Sequence, residues 1–246
     1  MARSTACLPP VLYEDETLTA FDKPSGLRVV PDRWDADAVC LMDLVHRCGS
    51  PEWFNVHRLD RDTSGVLLCA KTKDTLTALT DLFEMHRVEK RYVALTRGCP
   101  ENSPIAITAA LAADPQRPGR MCATPEGKPS ETVVEVVESW ACGHALLRAF
   151  PKTGRTHQVR VHLAHLGCPV VGDALYGDGR PLFLSDFKRG YKRRSDDPEP
   201  PLLSRLALHA QSLTLDHPVT HGPLTIESRL PDDLQFALKQ LRRHGR

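Results

Sequence analysis

Nine residues, His57-Arg58-Leu59-Asp60-Arg61-Asp62-Thr63-Ser64-Gly65, run without a break into the apolar segment Val66 to Ala70. A turn of Asp, Thr, Ser and Gly that feeds a short apolar run reads as a loop delivering into a buried strand. That juncture constrains the fold, because a strand end is a rigid mount for a charged side chain. Asp60 sits there, with Arg58 before it and Thr63-Ser64-Gly65 after it. An aspartate in a loop is by default a turn former or a solvated charge, but this context makes Asp60 a candidate reactive carboxylate. Asp62 is better suited to capping the amides of Ser64 or Gly65. A carboxylate that stays ionised in an enclosed site needs a cationic partner, since burial alone raises its pKa. The basic segment Thr153-Gly154-Arg155-Thr156-His157-Gln158-Val159-Arg160-Val161-His162 supplies one.

Composition narrows the class. Over 246 residues, 41% are hydrophobic and 26% charged, and the formal net charge is +1. This is an ordinary globular balance, so a nucleic-acid partner would be held by a local basic surface and not by overall charge. None of the eight cysteines forms a C-x-x-C pair. They read as buried thiols in a reducing compartment, not as zinc ligands or disulfides. Residues 1–10 lack the apolar core of a signal peptide, and no segment carries the roughly eighteen apolar residues of a membrane span. A soluble cytoplasmic protein is expected, with residues 1–10 as an extension and 11–246 as one domain.

Periodicity predicts extended chain over Val11 to Phe21 with a turn at Asp22-Lys23-Pro24-Ser25-Gly26. Helices are predicted over Asp37 to Cys48, Lys73 to Arg87, Thr156 to Leu166 (capped by Thr156) and Asp232 to Arg243. Strands are predicted over Val66 to Ala70, Arg91 to Thr96, Thr132 to Val137, His144 to Phe150 and Ser204 to Leu215. Neighbouring strands joined by short turns favour α+β with a mainly antiparallel sheet over a doubly wound parallel one. Asp114 to Ser130 and Gly177 to Ser204 read as irregular, the latter a charged, proline-containing loop.

Other constellations are weighed against plain packing. Asp60 and Asp62 could be a metal pair, but no acid or histidine cluster at ligand spacing supports them. His157, His162 and His165 are poorly spaced for a metal without a nearby acid, so packed or solvated histidines are expected. Arg160 falls in the first turn of its helix, where the dipole disfavours a cation, and this points to a specific anionic partner, carboxylate or phosphate. Tyr92 follows Glu89-Lys90-Arg91 and suits either stacking on a base or a half-buried strand. Lys188 to Arg194 and Lys239, Arg242, Arg243 and Arg246 are basic runs that are either solvated surface or phosphate contacts.

These motifs together resemble those of the RluA-like family of RNA pseudouridine synthases. His57 to Gly65 resembles the family's HRLDxxTSG motif. Asp22 to Gly26 resembles its NKPxG motif, with Asp in place of Asn. Phe83 to Gly98, containing Val88-Glu89-Lys90-Arg91-Tyr92-Val93-Ala94-Leu95, resembles the tyrosine motif, and Thr153 to Gly177 resembles the third motif closely. Arg205 to Ala210 and His217-Pro218 match the closing strand, so the likeness runs from about Leu12 to Leu230. The resemblance implies a single catalytic domain, a mainly antiparallel mixed sheet flanked by helices with its cleft across the sheet, and no N-terminal S4 domain. It implies isomerisation of a uridine in tRNA or a large-subunit rRNA stem-loop by a monomer with no cofactor and no metal. It implies Asp60, Arg160 and Tyr92 as catalytic: carboxylate, cationic partner and uracil-stacking ring. Arg58 would fill the gap left by the flipped base, and Thr63, Arg155, His157, Val159 and Leu163 would contact substrate, although Val159 and Leu163 equally suit helix packing. Two other readings are an RNA-binding or ribosome-assembly factor without turnover, and a metal-assisted hydrolase using Asp60, Asp62 and His157 or His162.

Overall fold

A computed structural model describes residues 8–31, 39–48, 52–192 and 197–246. Along the chain run β1 (Val11–Glu14), β2 (Leu18–Lys23), α1 (Leu41–Cys48), β3 (Phe54–Asn55), β4 (Ser64–Ala70), α2 (Lys73–Glu84), β5 (Glu89–Arg97), β6 (Ile105–Ile107), β7 (Leu111–Ala113), β8 (Met121–Ala123), β9 (Thr132–Trp140), β10 (His144–Pro151), α3 (Gln158–His165), β11 (Leu208–Asp216), β12 (Pro223–Glu227) and α4 (Asp232–His244). They form two compact units, one from Met1–Lys90 and Ala210–Arg229, the other from Arg91–His209 and Leu230–Arg246. The fold is α+β, as the sequence predicts.

In the first unit, β4 is central. It pairs antiparallel with β2, from Leu18 opposite Ala70 to Lys23 opposite Gly65, and with β3. Every residue of β4 is buried. Val66, Leu68 and Ala70 join Leu18, Ala20, Leu79, Leu213, Leu215 and Ile226 in one core, while Leu67 and Cys69 are equally buried on the opposite face. A strand covered on both sides is what an unbroken apolar run produces. α2 is capped by Thr72, whose hydroxyl accepts the Thr75 amide at 3.2 Å. The segment Val11 to Phe21 is two strands and not one. Asp15 reverses the chain by accepting the amides of Thr17 at 2.7 Å and Leu18 at 2.9 Å, which lets β1 return on β2. β11 and β12 pair antiparallel from Ser212 to Asp216.

In the second unit, β9 and β10 form a long hairpin with β5 on one side and β6 on the other, all antiparallel. α4 buries Leu234, Ala237, Leu238 and Leu241, the i, i+3, i+4, i+7 stripe of an amphipathic helix, and these join the core of that unit.

Several boundaries differ from expectation. α1 begins at Leu41, and residues 37 and 38 of the predicted helix lie outside the described residues, as does 193–194 of the basic run. Asp114 to Ser130 is not wholly irregular: it holds β8, paired with β7. Gly177 to Ser204 is anchored, with Leu182, Phe187 and Leu203 buried and Leu182 bridged to Leu203.

Gly65 is where the chain admits no side chain. Its φ is +114°, and a Cβ there would lie 2.1 Å from the carbonyl oxygen of Ala210. Gly65→Ala is expected to destabilise by more than about 2 kcal/mol, combining strain and overlap. Gly119→Ala, also at positive φ but with nothing within 4 Å, should lose only the roughly 1 kcal/mol of backbone strain. Equal urea midpoints for the two variants would contradict the close approach. A second expectation concerns acid. The His57 ring stacks on Phe83 at 5.1 Å, and its Nε2 accepts the Leu68 amide at 3.0 Å. Burial, aided by the charge of Lys90, lowers its pKa to about 4. Burial also lowers His144 and His162. Such groups are neutral when folded and take up protons on unfolding, so stability falls as pH drops from about 6.5 toward 4. Imidazole NMR should place the His57 titration near the lower end, and an ordinary midpoint would refute its burial.

Candidate active site

Asp60 lies in the first unit on the loop entering β4, and that loop is fastened along its length. Before it, His57 is tied to Leu68 of β4 and Leu59 is buried. At it, the carbonyl of Asp60 accepts the Thr63 amide at 3.2 Å, a tight turn. After it, the Asp22 to Gly26 turn grips the backbone. Lys23 has no exposed surface, and its Nζ donates to the carbonyls of Pro24, Leu27 and Arg61 at 2.9, 2.7 and 2.9 Å. Ser25 Oγ donates to the Asp62 carbonyl at 2.7 Å, and the Gly26 amide donates to Arg61 O at 2.9 Å. Two motifs far apart in sequence thus close on one loop, and the Asp60 carboxylate rides on fixed backbone. Asp22 turns elsewhere, accepting the Ser228 hydroxyl at 2.8 Å.

The neighbours of Asp60 divide. Arg58 is exposed, whereas Thr63 is 2% exposed. Asp62 does not take the capping role assigned to it. Its described bonds are to its own neighbour, the guanidinium of Arg61, at 3.0 and 3.2 Å on the surface, because an adjacent arginine competes for the carboxylate that the turn amides would otherwise use.

The second unit holds Tyr92, Arg155, His157, Val159, Arg160 and Leu163. Tyr92 lies on β5 opposite Ala149 of β10, half-buried against that unit's core. Val159 and Leu163 are members of that core. α3 starts at Gln158 without a Thr156 cap. Instead His157 is left-handed, with φ +54°, uncommon for a residue with a side chain, and Gln158 clasps the approach. Its Oε1 accepts the Thr153 hydroxyl at 2.7 Å and the Arg155 amide at 2.9 Å, while its Nε2 donates to Glu131 O and Thr132 Oγ1 at 2.8 and 3.0 Å. Arg155 Nε reaches Pro129 O at 3.2 Å. A cavity of about 470 Å³ opens beside Arg155, bounded by β7, Met121 and Lys128.

Arg160 is 7% exposed. Its Nε and Nη2 donate to Asp173 Oδ2 and Oδ1 at 2.7 and 2.8 Å, a bidentate pair with a fully buried carboxylate. This is an anionic partner of the kind its position at the helix start calls for. Asp173 Oδ1 also accepts the amides of Leu175 and Tyr176 at 3.0 and 3.1 Å. Tyr176 closes the network. Its ring lies 5.0 Å from the Arg160 guanidinium carbon and 5.3 Å from that of Arg120. Its hydroxyl bonds His157 Nδ1 at 2.8 Å and accepts the Met121 amide at 2.8 Å. Asp173, Tyr176 and Gln158 were not singled out from sequence, although all three lie within the Thr153 to Gly177 motif; only the mismatch of a cation at a helix start hinted at Asp173.

His162 is a packed histidine, bonded to Thr132 Oγ1, Ser130 Oγ and Ala109 O at 2.9, 3.0 and 3.0 Å. Among the described residues no three His, Cys, Asp or Glu side chains gather as a metal site, and the seven described cysteines are free thiols. No helix among them is long and apolar enough to cross a membrane.

Residues 17–165 match the family model described as RNA pseudouridylate synthase. The chain is 35% identical over 242 residues to the "Ribosomal large subunit pseudouridine synthase D" of Xanthomonas campestris, covering 94% of this chain and 69% of that protein. It is likewise 35% identical over 218 residues to the "Dual-specificity RNA pseudouridine synthase RluA" of Salmonella typhi, covering 88% and 91%. Among solved structures, "Human RNA Pseudouridylate Synthase Domain Containing 1" superposes with a TM-score of 0.70 at 28% identity, over 94% of this chain and 87% of that one. The chain therefore belongs to the RluA-like RNA pseudouridylate synthases and is an isomerase that acts on RNA.

Proposed function

We propose that this isomerase converts a uridine presented in a stem-loop of large-subunit rRNA or tRNA, with Asp60 as the carboxylate that acts on the nucleoside. The seating of Asp60 carries the reading: a carboxylate on a loop held by Lys23, Ser25, Gly26 and His57 is preorganised for chemistry, which a solvated turn aspartate is not. Large-subunit RNA is named for one matched relative and dual specificity for another, while tRNA comes from the family resemblance.

A uracil stacked within a helix is out of reach, so the nucleotide is extruded or already unpaired. The C1′–N1 bond breaks, the base turns in place, C5 bonds to C1′, and the proton lost from C5 is matched by one taken up at N1. Asp60 works in its ionised form, by attack on the sugar or by removing a proton from it. The family resemblance assigns Arg160 as the catalytic arginine. Asp173 grips one edge of its guanidinium, and the flat, five-donor fork of arginine suits such a clamp where lysine does not. Tyr92 stacks on the detached uracil and Arg58 occupies the space the base vacates, while Thr63, Arg155 and His157 contact the RNA. The core positions of Val159 and Leu163 support a packing role.

Asp60→Asn is expected to abolish pseudouridine formation, at least about a thousandfold, while RNA binding persists. Turnover by that variant would remove Asp60 from the centre of the reaction. Mapping pseudouridine in cellular RNA with and without the gene identifies the uridine. Asp173→Asn leaves Arg160 buried beside a neutral group, a loss of about 3 kcal/mol or more in stability. At a temperature where it remains folded, its kcat should fall more than its KM rises. An unchanged urea midpoint and kcat would show the pair to be dispensable.

A further inference from the structure

Two basic runs that are separate in the sequence meet in the second unit. Phe187 is buried, which fixes the turn after it, where the Tyr191 amide bonds Lys188 O at 3.1 Å. A concavity of about 270 Å³ is lined by Lys188, Arg189 and Arg246, together with Cys142 and Asp186. Arg246, just past the end of α4, and the 188–189 turn thus place three cations on one wall.

Nearby acids offset that positive charge only in part, and burial, followed by the charge of Asp186, raises the pKa of Cys142 on the same wall. Asp186, also on the wall, is engaged by Arg180 at 2.6 Å and by the Phe183 amide at 3.0 Å. Glu138 is held by Arg242, and Glu199 accepts the Ser185 amide at 3.0 Å. The dipole of α4 accounts for cations in its own last turn, but not for Lys188 and Arg189, which come from another segment. Gathering like charges from two segments opposes folding, and an anionic ligand offsets that. The Tyr191 ring, 6.0 Å from Lys188 Nζ and half-buried, adds a face on which an unpaired base can stack.

We propose that Lys188, Arg189 and Arg246 form a phosphate-binding seat for the RNA backbone, separate from the residues assigned to the chemistry, with Tyr191 as an adjoining stacking surface. The proposal rests on the reading that the substrate is RNA. It is tested with the full chain carrying Lys188→Gln, Arg189→Gln and Arg246→Gln together. The probes are a fluorescently labelled single-stranded oligouridine, titrated from about 50 to about 250 mM NaCl, and bulk RNA from cells lacking the gene. Each phosphate contact on a single strand contributes about 0.7 to the slope of log K against log salt, so the triple variant should lose about 2 from the slope. Affinity at the lowest salt should drop at least tenfold, KM on bulk RNA should rise, kcat should hold, and the melting temperature should hold or rise as like charge is removed. A second variant, Lys188→Arg with Arg189→Lys and Arg246→Lys, should keep the slope; a loss there as well would assign the effect to packing and overturn the seat. An unchanged slope and KM in the neutral variant, with an active parent enzyme, would overturn it too. A parent enzyme that makes no pseudouridine on any RNA would instead overturn the proposed function, and the oligouridine slope would still report on the seat.

Discussion

A lysine ammonium with no exposed surface has to be satisfied from within, because an unpaired buried charge is far too costly to keep. Lys23 is satisfied by backbone carbonyls of Pro24, Leu27 and Arg61. That requirement makes the turn and the Asp60 loop a single object. Neither segment can shift without leaving a cation stranded. Ser25 and Gly26 add two further bonds to the same stretch, and Gly65 lets β4 begin against the backbone of Ala210. The rigidity of the Asp60 loop therefore comes from main-chain carbonyls, which side-chain variation does not remove.

The second unit solves a related problem with the opposite charge. Arg160 at the start of α3 faces an unfavourable dipole, and Asp173 offsets it with two charge-assisted bonds. Asp173 is in turn oriented by the amides of Leu175 and Tyr176. Tyr176 then links Arg160, His157 and the strand β8 through its ring and hydroxyl. A guanidinium placed this way has its plane set by neighbours that are themselves fixed.

Much of this was legible in the residues. The strand behind Asp60 followed from local pattern, because a loop of turn formers running into Val66 to Ala70 has few alternatives. Packed His162 followed from the lack of acids at ligand spacing. The start of α3 was misplaced because Thr156 is a good cap in isolation, whereas the chain uses a left-handed His157 and the side chain of Gln158. β8 was hidden because three-residue strands flanked by Pro, Gly and charge carry too little periodicity. Asp173 lies thirteen residues beyond Arg160, and no local signal reports which carboxylate a cation will find. The basic runs at 188–189 and 243–246 looked like unrelated surface until the fold set them side by side.

The assembly of the two units from interleaved segments bears on how the protein is made. The first needs Ala210–Arg229 and the second needs Leu230–Arg246, so each lacks a helix or a strand hairpin until those late segments have left the ribosome. Long-range closures of this sort slow folding, and nascent intermediates expose apolar edges in the meantime. A truncation that removes α4, although it spares Asp60, Tyr92 and Arg160, takes Leu234, Ala237, Leu238 and Leu241 out of a core. Each core closes only when its late segment is made, so apolar edges stay open while most of residues 1–246 are being synthesised.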